Sequence, residues 1–273
     1  MVKKLFKYEF TSYLKVLIPF NIVMLSVALF ARIIQFFDMD VPVYSTIYEI
    51  VLGLSTFTYF MSTVACFAAV FILAIIRFHK NLYSAEGYLS FTLPVTASQH
   101  IFVKAATALA LGAITLVSIV VSFAVFSAGE FGVELLKAAN YILKYASKEL
   151  GANLWFYILE VIVLSVVSLT TSLLFYYTCI SLGQLFKKNR VLGAVGVYFI
   201  FYAVSQVISG IIMFSYSIVV TTIDMQKVGE FIEKHLIAII HFVLVAAIVI
   251  CAAVGVGYFF VNRYIMTKKL NLE

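Results

Sequence analysis

Residues 236–261 read LIAIIHFVLVAAIVICAAVGVGYFFV, and this stretch decides the fold. One histidine apart, no side chain in it carries a charge. A helix needs about 20 such residues to cross the hydrocarbon core of a bilayer. The run is longer than that, and it has no Pro to break it. A barrel strand would instead alternate apolar and polar residues over about ten positions. Unpaired backbone groups cost several kcal/mol each in lipid, so a helix is the form this run must take.

The same pattern recurs along the chain. Runs at roughly 16–37, 50–76, 105–128, 154–182 and 191–220 also qualify, giving six spans with 236–261. Of the 273 residues, 64% are hydrophobic and only 12% charged. A soluble domain is nearer half apolar and a quarter charged. The expected fold is therefore all-α and polytopic, a single transmembrane domain over 1–273. The first run has a basic start, but no small-residue cleavage site follows it, so it reads as a permanent span and not as a signal peptide.

Orientation follows from Lys and Arg. With the N-terminus inside, the outer loops hold Lys137, Lys144, Lys148, Lys227 and Lys234. Arg32 falls within the first span, and the other thirteen of the 19 cations lie inside. Both termini are expected in the cytoplasm. The net charge of +6 reflects this bias and attraction to anionic lipid, not nucleic-acid binding. Cys66, Cys179 and Cys251 all fall within spans and read as small core hydrophobes.

Three segments outside the spans are patterned. In KKLFKYEFTSYLK, residues 3–15, Leu5, Phe6, Phe10, Tyr13 and Leu14 recur at helical spacing, with Lys3, Lys4, Lys7 and Lys15 opposite. An amphipathic interface helix over 1–15 is expected. In EFGVELLKAANYILKYASKEL, residues 130–150, Leu135, Leu136, Ala139, Leu143 and Ala146 oppose Lys137, Asn140, Lys144 and Lys148, which predicts an outer amphipathic helix. The third, NLYSAEGYLSFTLPVTASQH at 81–100, joins spans two and three. Asn81 or Ser84 can cap a short helix, Pro94 stops it, and Thr96 or Ser98 restarts the next. Its aromatics either dock a partner or pack on the interface.

No segment outside the spans is long enough for an independent core. The chain has no G-x-x-x-x-G-K-[ST], G-x-S-x-G or H-E-x-x-H, and its four His are scattered. No catalytic residue, metal site or cofactor of its own is expected. Within the spans, Arg32, Glu160 and His241 each lie about 10 Å or less from the outer surface, at about 1.5 Å per residue. Such charges are costly in lipid unless paired or wet. Arg32 snorkelling to headgroups, an Arg32–Glu160 ion pair with His241 beside it, and a place in a transport path all fit. Ala253 and Gly257 are spaced for close helix approach.

The start KKLFKYEF (3–10), with Asn81, Leu82, Gly87, Tyr88, Leu89, Phe91, Thr92, Leu93, Pro94 and Val95, resembles the permeases of bacterial type-2 ABC exporters. It is most similar to small permeases that pair with a separate ATPase, some exporting peptide toxins or conferring immunity to antimicrobial peptides. The resemblance implies a multi-pass protein of the bacterial cell membrane. It makes 81–95 a cytoplasmic coupling helix that enters a groove on an ATP-binding subunit. Leu82, Tyr83, Gly87, Tyr88, Leu89 and Phe91 would form the docking knob, with Glu86 facing a basic residue of the ATPase. ATP and Mg would be bound by that partner, and a second permease copy would complete the path. An ion-coupled secondary transporter and a non-transporting scaffold remain as other readings. Nearly charge-free span midplanes weigh against the former.

Overall fold

The computed structural model describes residues 1–37, 45–84, 87–88, 92, 94–128, 130–186, 189–222 and 225–268. Seven long helices account for nearly all of them: α1 (Val2–Phe36), α2 (Ser45–Tyr83), α3 (Ala97–Phe126), α4 (Glu130–Leu150), α5 (Leu154–Gly183), α6 (Arg190–Thr222) and α7 (Met225–Lys268). No strand occurs among the described residues. Six of the helices, all but α4, are long and apolar enough to cross a membrane. The chain is an all-helical, multi-pass membrane protein.

The helices outrun the apolar runs that predict them. Residues 1–15 are not a separate element, because α1 continues from Val2 through Pro19 to Phe36. Pro19 removes only the bond that would reach the Lys15 carbonyl. The expected faces are kept: Tyr13 and Leu17 are buried, while Lys3, Lys4, Lys7 and Lys15 are exposed. α3 begins at Thr96, one of the two residues expected to restart a helix, on a capping box. The Thr96 hydroxyl accepts from Gln99 N, and the Gln99 side chain accepts from Thr96 N. α4 ends at Gly151, whose φ of +56° is a left-handed conformation that glycine adopts without penalty. α7 is interrupted at His235 (φ −118°, ψ 16°), just before the sixth apolar run.

Contacts group the chain into two compact units. The first holds Met1–Phe78 and Leu93–Glu149, and the second holds His79–Thr92 and Leu150–Glu273. In the first, α1 lies along α3. Ala28, Ala31, Tyr59 and Phe126 form a buried cluster, with Tyr59 stacked on Phe126 at 4.4 Å between centroids. The Tyr59 hydroxyl is shared with Ser122 Oγ at 3.2 Å, so this phenol is satisfied away from water.

In the second unit, α5 packs on both α6 and α7. A β-carbon on Gly183 would lie 2.5 Å from Ala194 N, so glycine sets how closely α5 approaches α6. Along α5–α7 the equivalent residue is Gly255, where a β-carbon would meet Thr171 Oγ1 at 2.7 Å. Ala253 and Gly257, whose spacing permits close helix approach, are exposed within this chain, and nothing lies within 4 Å of a β-carbon placed on Gly257 among the described residues. Gly255 lies two residues from each, which on a helix is nearly the opposite side.

Candidate functional site

Three polar constellations stand out. The first surrounds the connection after α2. Leu82 is fully buried and Tyr83 only 6% exposed, while Tyr88 is 69% exposed. Gly87 N donates to Ser84 O at 2.8 Å. A β-carbon at Gly87 would lie 2.5 Å from Leu82 O, so only glycine lets the chain fold back there. Glu86, Leu89 and Phe91 lie outside the described residues.

Tyr83 is anchored by a chain of hydrogen bonds. Its hydroxyl is shared with Ser181 Oγ at 2.7 Å, and Ser181 Oγ donates to Asn262 Oδ1 at 2.7 Å. Asn262 Nδ2 reaches Thr178 Oγ1 at 2.8 Å, Tyr258 O at 2.9 Å and Leu174 O at 3.2 Å. Ser181, Thr178 and Asn262 are all buried, so every bond lies in a low-dielectric setting where it is strengthened. The last turn of α2 is thus tied to both α5 and α7. Sequence reading passes over Ser181, Thr178 and Asn262. Their signal is spacing: Thr171 and Thr178, like Gly255 and Asn262, are seven residues apart and share a helix face.

The second constellation belongs to the first unit. Glu9, in the middle of the N-terminal apolar stripe, is buried. Its Oε1 accepts from Lys104 Nζ at 2.7 Å, and Arg77 lies 3.6 Å from Oε2. Arg77 also donates to Ser12 Oγ and sits 4.7 Å above the Tyr13 ring. A carboxylate, two cations and an aromatic face therefore join α1, α2 and α3 at one end. Lys104, one of the thirteen cations expected on the inner side, is fully buried within α3.

The third holds two of the residues singled out within spans. His241 Nδ1 lies 2.5 Å from Glu160 Oε1, pairing α7 with α5. Glu160 Oε2 is buried with no hydrogen-bond partner among the described residues. The His241 side chain is 58% exposed. Nearby, the Tyr157 hydroxyl donates to Ile237 O at 2.8 Å. Arg32 belongs to the other unit, where its Nη1 donates to Gln35 Oε1 at 3.4 Å.

Among the described residues no group of three or more His, Cys, Asp or Glu is placed to hold a metal ion. Comparison of the chain with protein-family models, with curated proteins and with solved structures gives no match.

Proposed function

We propose that this chain is the membrane-spanning subunit of an ATP-driven exporter of the bacterial cell membrane. It moves an amphipathic substrate, a peptide by the resemblance given above, and a separate subunit binds and hydrolyses ATP with Mg. That subunit docks on the connection 81–95, and a second copy of the permease completes the path. The observation that carries this reading is the linkage Tyr83–Ser181–Asn262, in the same connection as an exposed Tyr88. From Tyr83, the start of this connection, hydrogen bonds lead directly into two apolar spans. A connection that merely joined two helices has no need of a buried polar chain, which is stable only when fully paired.

The test uses two substitutions with different expected outcomes. Tyr88→Ala removes the docking contact, so the ATPase no longer co-purifies with the chain. Tyr83→Phe keeps the ring and loses only the hydroxyl, so the ATPase stays bound but its turnover no longer responds to substrate. Retention of full export by both variants rules the proposal out.

The Glu160–His241 pair favours a second reading, an ion-coupled carrier, because intramembrane ionisable groups commonly serve proton or ion pathways. Collapse of the proton gradient with ATP maintained separates the two. An exporter driven by an ATPase continues to pump, and a carrier stops.

A further inference from the structure

We propose that the face of α6 centred on Gln206 is the seam on which a second copy of this chain docks. The inference deepens the second-copy part of the reading above and rests on it. Gln206 stands at the middle of the 33-residue α6, the depth at which a crossing helix is farthest from water. It is exposed, as is every residue from 202 to 218. Serines of the same stretch bond to their own helix: Ser205 Oγ donates to Tyr202 O at 2.7 Å and Ser215 Oγ to Ile211 O at 2.9 Å. Asparagines within spans are held as well. Asn21 Nδ2 donates to Leu17 O at 2.9 Å, and Asn262 is bonded to α5. Gln206 breaks this pattern. Every residue within two turns of it is described, and its amide bonds to none of them. An amide facing hydrocarbon with no partner is costly, so the face calls for a neighbour that brings a donor and an acceptor to this depth.

The chemistry of the amide selects a second copy. A glutamine side chain carries both donors and an acceptor, so it can pair with itself. A two-fold contact requires that, because each side presents the same patch. A two-fold axis along the membrane normal also sets the two amides at one depth. The backbone around Gln206 permits the approach. Ala203 lies three residues before it and Gly210 four after, on the same face. Gly196 and Ser217 extend this row of small residues at intervals of seven. Among the described residues, a β-carbon on Gly196 or Gly210 would meet nothing within 4 Å. α5 takes a different side of the helix. Gly193, Ala194, Val197, Tyr198 and Phe201 are half-buried, and a β-carbon on Gly193 would lie 3.1 Å from Gly183 O. At 3.6 residues per turn, Gln206 points nearly opposite to that group. Interhelical amides and close backbone approach are what associate spans in lipid, where apolar contact alone gives little preference.

The experiment uses the full chain in membranes, with cysteine pairs oxidised by copper phenanthroline. Gln206→Cys is expected to give a disulfide-linked dimer. Ile208→Cys, at nearly the same depth, 53% exposed and on the face of Phe201, is expected to give none. The intact chain, with Cys66 and Cys179 buried and Cys251 half-buried, sets the background. Association in liposomes is then measured by single-molecule photobleaching against protein density. Gln206→Leu is expected to weaken it about tenfold, the scale of an interhelical amide pair. Gln206→Asn keeps an amide and retains most of the association, and equal unfolding midpoints of the variants separate a lost contact from a misfolded chain. Undiminished association in Gln206→Leu, or equal crosslinking at position 208, overturns the seam while the second copy and the exporter reading stand. A chain that is monomeric at every density overturns the seam and the second copy together. Reaction of Gln206→Cys with a membrane-impermeant maleimide, without crosslinking, would assign the face to a water-filled path and overturn the proposal. A crosslinked product of a mass other than twice the chain would assign it to a different protein and equally overturn it.

Discussion

Glu9 shows how far a single residue can escape a pattern. The N-terminal stretch reads as an amphipathic helix, and Glu9 falls on its apolar side between Phe6 and Tyr13. Its partner Lys104 lies 95 positions away, in a segment that reads as a loop end. No local spacing could join them, because what pairs them is the packing of α1 on α3. The pair makes a clear prediction. Lys104→Met leaves a buried carboxylate with less compensation, and loss of one partner of a buried ion pair costs about 3–5 kcal/mol. Glu9→Leu combined with Lys104→Met removes both charges and is expected to recover most of that loss, since apolar replacement of a whole pair is often neutral. Thermal unfolding of the detergent-solubilised variants checks it. Additive losses in the double variant would count against the pair.

At the scale of elements, the six spans were legible because each is a long apolar run, and the lipid environment allows such a run only one form. Their ends were less legible. α2 extends from Ser45 to Tyr83, beyond the apolar run 50–76 on both sides, because a helix continues through polar residues wherever neighbours hold them. The buried Phe78 and Leu82 are two such anchors in its last turns. Contact faces were less legible still. Small residues four apart marked Ala253 and Gly257, but Gly255, beside Thr171, makes the close approach, with Tyr258 and Asn262 at the next helical positions toward α5. Spacing alone gives two candidate faces, and the polar residues facing Leu174, Thr178 and Ser181 choose between them. Gly255→Leu therefore has to push Thr171 aside and is expected to destabilise the α5–α7 pair by about 1–3 kcal/mol. Gly257→Leu meets open space and leaves stability within about 0.5 kcal/mol. Unfolding midpoints of the two variants in detergent measure the difference, and an equal loss from both would refute the assignment of the seam.

For the whole molecule, the question that structure and composition leave to experiment is which side each connection faces. Six crossings are expected to put the start of α1, the α2–α3 connection and the end of α7 on one side of the membrane, and α4 on the other. The excess of Lys and Arg on the former side predicts that it is cytoplasmic. α4 supports the distinction in its own way: its described apolar side chains, Leu136, Ile142 and Leu143 among them, are exposed on a helix whose ends lead directly from α3 and into α5. A helix so tethered is expected to lie at the membrane surface with its apolar face in the interface. The docking proposal needs the opposite side, because ATP is available only in the cytosol. Labelling decides this with little background, since Cys66 and Cys179 are buried and Cys251 half-buried. Lys144→Cys is expected to react with a membrane-impermeant maleimide in intact cells. Lys3→Cys is expected to react only after the membrane is permeabilised. The reversed result would put Tyr88 outside the cell, out of reach of any ATPase, and the exporter reading would fail while the six-span fold stood.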